Sequence, residues 1–423
     1  MVKTVKKILF FLTHSERKKL PLLLAMILIM ALLEMIGVAS IIPFITILSN
    51  PSLIETNVFL NIMFEASGIF GVENSQEFIH ILGVLVFCIL VFSISFKALT
   101  TYAISRFVHM REYSISKLLV TKYLHQPYSW FLNRNSADLG KSILSEVGLL
   151  IGSGIKPMMN LIVYSMVALM LLGLLIFVNV KVALSVFLIF GIAYGLIYTF
   201  FRGFINRIGQ ERLKANQLRF TSISEGFGAV KEVKVSGLEE SYIKKFAEPA
   251  EKLARHHASF VFVNQLPRFA LEALAFGGMM LIILYLMAQT GNLINALPTI
   301  TLYALAGYRL MPALQQVYAS VTQLRFLGPG LDSLYYDVKN LKTSETQFDQ
   351  SVIPLNKKIT LKQINYNYPN TSRVALKDIS IDIPAKKIVG LVGTTGSGKT
   401  TTVDIILGLL EAQQGTLEVD GKV

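Results

Sequence analysis

Six long apolar runs, at residues 20–48, 78–101, 157–178, 182–201, 267–287 and 297–324, constrain what this chain of 423 residues can fold into. Each reaches the length of about 20 residues that a helix needs to cross the hydrocarbon core of a bilayer. In that medium only helices and closed barrels satisfy their own backbone polar groups, and the runs predict six membrane-spanning helices. With 53% of residues hydrophobic, 16% charged and a mean hydropathy of +0.54, the composition excludes an ordinary soluble enzyme.

The cations set the orientation. The stretch 49–77 holds no Lys or Arg but four Glu (Glu55, Glu65, Glu73 and Glu77), and 289–297 holds no charge, so both are predicted to face outward. By contrast 97–156 holds eight Lys or Arg against three acids, and 202–268 holds twelve against seven, which marks the cytoplasmic side. All six runs then thread consistently and both termini fall in the cytoplasm. This topology also accounts for the net charge of +13, so no nucleic-acid partner is expected.

Residues 1–19 place Lys3, Lys6, Lys7, Arg17, Lys18 and Lys19 around an apolar patch at 8–12. The segment is too polar and interrupted for a cleaved signal peptide, and is predicted as an amphipathic helix on the cytoplasmic membrane surface. Cys88, the single cysteine, excludes an intrachain disulfide and is expected to be buried filler. In the outer stretch Asn57, Asn61 and Glu65 alternate with Val58, Phe59, Ile62, Met63 and Phe64, as in a short amphipathic helix lying on the membrane or packed on the bundle. The two inner stretches hold apolar residues at helical spacing, such as Val230, Val233, Ile243 and Phe246, and predict helices that continue out of the membrane. Pro127, Tyr128, Trp130 and Phe131 interrupt one of them and Gly226, Phe227 and Gly228 the other. These interruptions read as short transverse helices that press on a following domain, with loop punctuation as the alternative.

A polar linker at 332–357 precedes a second region. Alternating apolar residues at 359–368 and 374–383 predict two antiparallel strands, and the unbroken run Lys387, Ile388, Val389, Gly390, Leu391, Val392 predicts a buried strand. A helix over 399–410 follows, apolar at Val403, Ile406, Leu407 and Leu410. Between strand and helix stand Gly393, Thr394, Thr395, Gly396, Ser397, Gly398, Lys399, Thr400 and Thr401. Glycines here allow consecutive N–H groups to converge on phosphate oxygens at the positive end of a helix. Lys399 would reach the β- and γ-phosphates of a nucleotide, and the Thr400 hydroxyl would ligate Mg²⁺.

These motifs resemble those of an ABC exporter subunit. The segment Ala375, Leu376, Lys377, Asp378, Ile379, Ser380 leading to the Gly-rich turn is similar to that family's ATP-binding domain. The stretches from Leu266 to Glu272 and from Tyr308 to Pro312 resemble bacterial flippases for lipid-linked oligosaccharides and exporters of polysaccharide gene clusters. The resemblance implies a polytopic α-helical membrane domain of six transmembrane helices with long cytoplasmic extensions, followed by the N-terminal part of an α/β P-loop nucleotide-binding domain. The implied division is an amphipathic helix at 1–19, a membrane domain at 20–331, the linker, and a domain fragment at 358–423. It also implies ATP and Mg²⁺ as cofactors, a second subunit as partner in a homodimer, the bacterial inner membrane as location, and Tyr368 stacking on adenine. The family's glutamine loop, signature motif, acidic Walker B residues and switch histidine are absent from the 423 residues. The expectation is therefore a truncated chain with no catalytic residue and no sustained ATP hydrolysis.

Charge in a membrane span is costly and informative. Arg309 shares a helical face with Gln316, Ser320 and Gln323, Lys97 lies in a stripe with Ser93 and Thr101, and Arg268 stands one turn from Glu272. One reading is a cavity where Lys97, Arg268 and Arg309 attract an anionic head group; the other is a set of ion pairs, Arg268 with Glu272 and Arg309 with Glu34. The resemblance implies a polyprenyl-pyrophosphate-linked oligosaccharide as cargo. Another lipid, a peptide or a drug, and a nucleotide-sensing membrane protein without transport, are the alternatives.

Overall fold

The computed structural model describes residues 2–49, 51–68, 72, 74–132, 134, 136–178, 180–290, 297–341, 353–369, 371 and 374–422. The chain divides into two compact units, Met1–Leu119 with Gly140–Lys339, and Val120–Leu139 with Asn340–Val423.

The first unit is helical. It begins with α1 (Val2–Phe10), α2 (His14–Arg17), α3 (Leu20–Ala39) and α4 (Ile41–Ser49). Pro21 sits in the first turn of α3, where a missing N–H costs no helical hydrogen bond. Next come α5 (Leu53–Thr56), α6 (Val58–Ser67) and α7 (Ser75–Leu124). At 1.5 Å per residue the 50 residues of α7 reach about 75 Å. That is more than twice the ~30 Å of a hydrocarbon core, so the helix continues beyond any bilayer. Many of its large apolar side chains, among them Phe87, Phe92 and Leu99, are exposed, as a lipid-facing surface requires. Cys88 is exposed on the same helix, so the expectation of a buried filler is corrected: an apolar run destined for lipid need not turn inward.

After α8 (Tyr128–Phe131) and α9 (Ser136–Gly140), two π-helical turns at Lys141–Glu146 and Ile151–Ile155 flank α10 (Val147–Leu150). Four long helices complete the unit with one short helix among them: α11 (Lys156–Val178), α12 (Val180–Gly228), α13 (Val230–Val235), α14 (Glu239–Thr290) and α15 (Leu297–Lys339). The six expected spans all fall on α3 with α4, α7, α11, α12, α14 and α15. Among the described residues, three stretches are long and apolar enough to cross a membrane: His14–Leu48, Ser75–Leu124 and Asp138–Phe177. The other three spans include side chains outside the described residues.

Three expectations meet the structure in this unit, and the first of them changes. The apolar face of α1 is not left for a membrane surface: Ile8, Phe11 and Leu12 are buried. Lys7 bonds Asp332 at 2.7 Å and the Phe10 ring meets Tyr335 edge-on at 4.9 Å, so α1 packs on α15. Helix α6 buries Leu60 in a cluster with Ile47, Phe78 and Leu82, with Met63 and Phe64 packed against it, while Val58 and Ile62 stay exposed. Packing on the bundle therefore wins for its inner face; the Phe59 side chain lies outside the described residues. Gly226 and Phe227 lie in the last turn of α12, which ends at Gly228, so the interruption falls at Ala229 and the short separate helix after it is α13. A Cβ on Gly226 would come 3.2 Å from the Tyr242 ring, so that glycine serves close packing instead of a break.

The second unit holds the first interruption, where extended Pro127 caps α8. Trp130 stacks on Tyr123 at 5.5 Å. Beyond the linker, β1 (Lys358–Asn367) pairs antiparallel with β2 (Val374–Pro384), as expected. After α16 (Lys399–Ile406), β3 (Gln414–Val419) pairs with β1 from the other side, giving the order β2-β1-β3. Gln363 takes a φ of +49° at a register shift in β1. Such a bulge lets Leu361 and Ile364, three residues apart, both face the core with Tyr366, Leu376, Ile405 and Leu410. Gly415 fits there because a Cβ would come 2.4 Å from the Lys362 carbonyl oxygen.

The run 387–392 does not form the buried strand expected of it. Its backbone is irregular, and Ile388 and Val392 are fully exposed. A strand apolar on both faces needs neighbours and cover on both, and the described sheet supplies none.

Candidate functional site

The segment from Gly393 to Gly398 leads directly into α16. Gly396 and Gly398 adopt φ of +82° and +87°, the left-handed region that side chains resist. At Gly398 space is short as well, since a Cβ would come 2.8 Å from the Ala375 carbonyl oxygen. Gly393 is outside that region; its requirement is proximity, because a Cβ would approach Ser397 Oγ to 2.7 Å. The turn curls tightly onto itself, as a phosphate cradle of backbone N–H groups must.

Lys399 opens the helix. Its Nζ donates to the carbonyl oxygens of Gly393 and Thr394 at 2.8 Å each, with Ser397 Oγ at 3.4 Å. All three partners are neutral, and among the described residues no carboxylate cancels the ammonium charge. Thr394, Thr395 and Thr400 are exposed beside it. Thr401 is instead buried and shares a hydrogen bond of 2.9 Å with the Tyr368 hydroxyl. Tyr368 itself is half-buried, edge-on to Tyr366 at 5.2 Å. That bond ties β1 to the first turn of α16. The helix stops at Ile406, short of the expected Leu410. Gly408 at φ +69° lets Gly408 N and Leu409 N bond the Ile405 and Asp404 carbonyl oxygens, a left-handed C-terminal cap.

The donor set suits a nucleotide's phosphates and Mg²⁺: a helix N-terminus, a tight glycine turn, one uncancelled ammonium and an exposed threonine hydroxyl. When bound, the metal would offset phosphate charge; the protein's part is to grip and orient.

The expected substrate cations are placed differently. Lys97 Nζ bonds Glu34 Oε1 at 2.6 Å, and Arg268 Nε bonds Glu272 Oε1 at 2.8 Å, so both are ion-paired. Glu34 thus meets Lys97, where sequence reasoning paired it with Arg309; the Arg309 side chain lies outside the described residues. Gln316, Ser320 and Gln323 lie on α15, with Ser320 Oγ turned back to the Gln316 carbonyl at 2.7 Å.

Two further cations escaped sequence reasoning. Arg212 of α12 is buried 3.6 Å from Glu146, with side-chain exposures of 1% and 6%. Arg325 of α15 donates from Nη1 to the Tyr198 hydroxyl at 2.9 Å. Their partners are distant in sequence, and no local pattern could have revealed them.

Residues 22–317 match the model of the ABC transporter transmembrane region, and residues 376–423 match the ABC transporter model. An ATP-dependent lipid A-core flippase of Cupriavidus pinatubonensis is 21% identical over 300 residues, 71% of this chain and 50% of that protein. The Mesentericin-Y105 transport/processing ATP-binding protein MesD of Leuconostoc mesenteroides is 23% identical over 340 residues, 78% of this chain and 46% of that protein. The chain thus spans about half the length of these curated relatives. In fold it matches the structure of a bacterial Atm1-family ABC exporter with ATP bound, at a TM-score of 0.66 and 14% identity, covering 96% of this chain and 68% of that one. The chain belongs to the ABC transporters, joining the family's helical transmembrane region to a partial nucleotide-binding domain.

Proposed function

We propose that the protein is a subunit of an ATP-driven exporter that flips an amphipathic, anionic, lipid-linked substrate across the bacterial inner membrane. A polyprenyl-pyrophosphate-linked oligosaccharide is the cargo we favour. The observation that carries this reading is the glycine-rich turn, with Lys399 held by neutral oxygens, in the same chain as helices too long for a bilayer. The six runs serve as six transmembrane helices of a membrane domain at 20–331, with a linker at 332–357, a nucleotide-binding fragment at 358–423 and both termini in the cytoplasm.

Gly393, Thr394, Thr395, Gly396, Ser397, Gly398 and Lys399 bind the phosphates of ATP in this reading, Thr400 holds Mg²⁺, and the free face of Tyr368 meets adenine. Thr401 acts through Tyr368 by fixing the first turn of α16. Two subunits pair, and the helical extensions of the membrane domain transmit nucleotide binding to the cavity. Arg309 is the substrate cation in this reading. Lys97 and Arg268, already matched by carboxylates, set the cavity's geometry. The 423 residues alone bind ATP without sustained hydrolysis.

A second reading, export of a different amphipathic cargo, is supported by likeness to the Mesentericin-Y105 transport/processing protein. Proteoliposomes of the full-length gene product, given ATP and lipid-linked saccharides, decide. Translocation that falls on Arg309→Ala supports the first reading. Movement of peptides alone supports the second, and nucleotide binding without any movement points to a sensor.

A further inference from the structure

A cavity of about 280 Å³ lies among α11, α12 and α15. Its walls are apolar and aromatic, formed chiefly by Phe187, Tyr194 and Tyr198 of α12 with Leu310, Leu314 and Tyr318 of α15. These positions recur every three or four residues on both helices, which makes the cavity a slot running along two helix axes. Gly191 and Gly195 widen it: a Cβ on either would meet nothing within 4 Å.

Arg325 stands one turn beyond Val321, the last α15 residue of the slot. It donates to the Tyr198 hydroxyl at 2.9 Å, and its guanidinium lies 5.8 Å from the centre of that ring. Its Nε is buried without a hydrogen-bond partner among the described residues, a group that costs stability until an acceptor arrives. Tyr198 and Arg325 fall at the cytoplasmic ends of the runs 182–201 and 297–324, the level of inner-leaflet head groups.

An apolar slot that ends on an under-bonded cation matches one kind of molecule. The geometry points to an anionic lipid bound between α12 and α15, with one hydrocarbon chain in the slot and its phosphate on Arg325. Hydrocarbon gains from leaving water or a crowded headgroup layer for such a slot. A phosphate oxygen supplies both an acceptor and a countercharge, which a guanidinium binds better than a neutral oxygen. A neutral lipid would leave the cation unmatched, and free phosphate would leave the slot unfilled. This inference rests on the membrane placement proposed above.

The test uses the full chain in phosphatidylcholine vesicles containing phosphatidic acid with a photoreactive acyl chain, without nucleotide. Labelled peptides are mapped by mass spectrometry. Label is expected on 187–198 and 310–321, and a photoreactive diacylglycerol should label these about tenfold less, the scale of one charge-assisted contact. Arg325→Gln should lower phosphatidic acid labelling by a similar factor, Arg325→Lys should restore most of it, and Gly195→Leu should block it by filling the slot. Thermal melting checks each variant, and the two-lipid comparison on the unaltered protein stands even where a variant fails to fold. Equal labelling by both lipids, or no label in the slot, overturns the proposal. ATP-driven transport is measured separately: its absence with labelling intact would overturn the transport reading and leave the lipid site standing.

Discussion

In the helical unit Lys97 meets Glu34 at 2.6 Å, Arg268 meets Glu272 at 2.8 Å and Arg212 meets Glu146 at 3.6 Å, whereas Lys399 of the glycine-rich turn bonds two carbonyls and a hydroxyl. A carboxylate cancels the charge it pairs with, and such pairs fix one helix face or join two helices. Neutral oxygens position a cation and leave its charge for an anion to use. By this standard Lys399 is built to bind, and among the described residues of the helical unit Arg325, held by the Tyr198 hydroxyl, resembles it, as do Arg17 on the Leu9 carbonyl and Arg219 on the Asn216 side-chain oxygen.

The comparison is broken most severely by removing a cancelling carboxylate. Glu146→Ala leaves Arg212 buried and unmatched, and should cost about 3–5 kcal/mol in the thermal unfolding of the detergent-solubilised protein. Replacing both partners by apolar residues should recover much of that loss, and an unchanged melting temperature in the single variant would refute the structural role. Gly398→Ala is next. It forces a side chain into left-handed backbone at about 1–2 kcal/mol, before the contact with the Ala375 carbonyl oxygen is counted. Hydrogen exchange in α16 should rise, and nucleotide affinity should fall with it.

Smaller effects sharpen the contrast. Tyr368→Phe removes the hydroxyl bonded to Thr401 and should cost ~1 kcal/mol, read as faster exchange at the start of α16. Asp420 is the anionic counterpart of Lys399, because it too is held by neutral groups. Backbone N–H groups of Asn356 and Lys358, and then of Lys357, hold its carboxyl below the usual carboxylate range. Its contribution is therefore complete above the ordinary aspartate pKa and is lost as the pH falls through the lowered folded value. Exchange at the β1 and β3 amides should rise on that acid side, and Asp420→Asn should remove the dependence.

Much of this was legible in the sequence, for local reasons. The apolar runs fix helices because length and hydrophobicity act along contiguous residues, and the nine residues from Gly393 to Thr401 announce their turn for the same reason. Strands β1 and β2 follow from alternation, while β3 is too short to show it. One failure is local, since Gly408 ends α16 before the expected Leu410, and the others are non-local. The run 387–392 reads as a strand because of its residues, yet strand formation depends on neighbours that the described sheet lacks. The apolar face of α1 reads as membrane-facing because nothing near it in sequence reveals α15. Tyr198 and Arg325, or Glu146 and Arg212, become partners only once helices are packed.

The most direct measurement is a titration of the purified chain with a fluorescent ATP analogue in Mg²⁺, unaltered and as Lys399→Ala. The account predicts binding weakened about tenfold to a hundredfold by loss of charge-assisted bonds, with no change in melting temperature. Equal binding by the two proteins, or no binding by the unaltered chain, would contradict it.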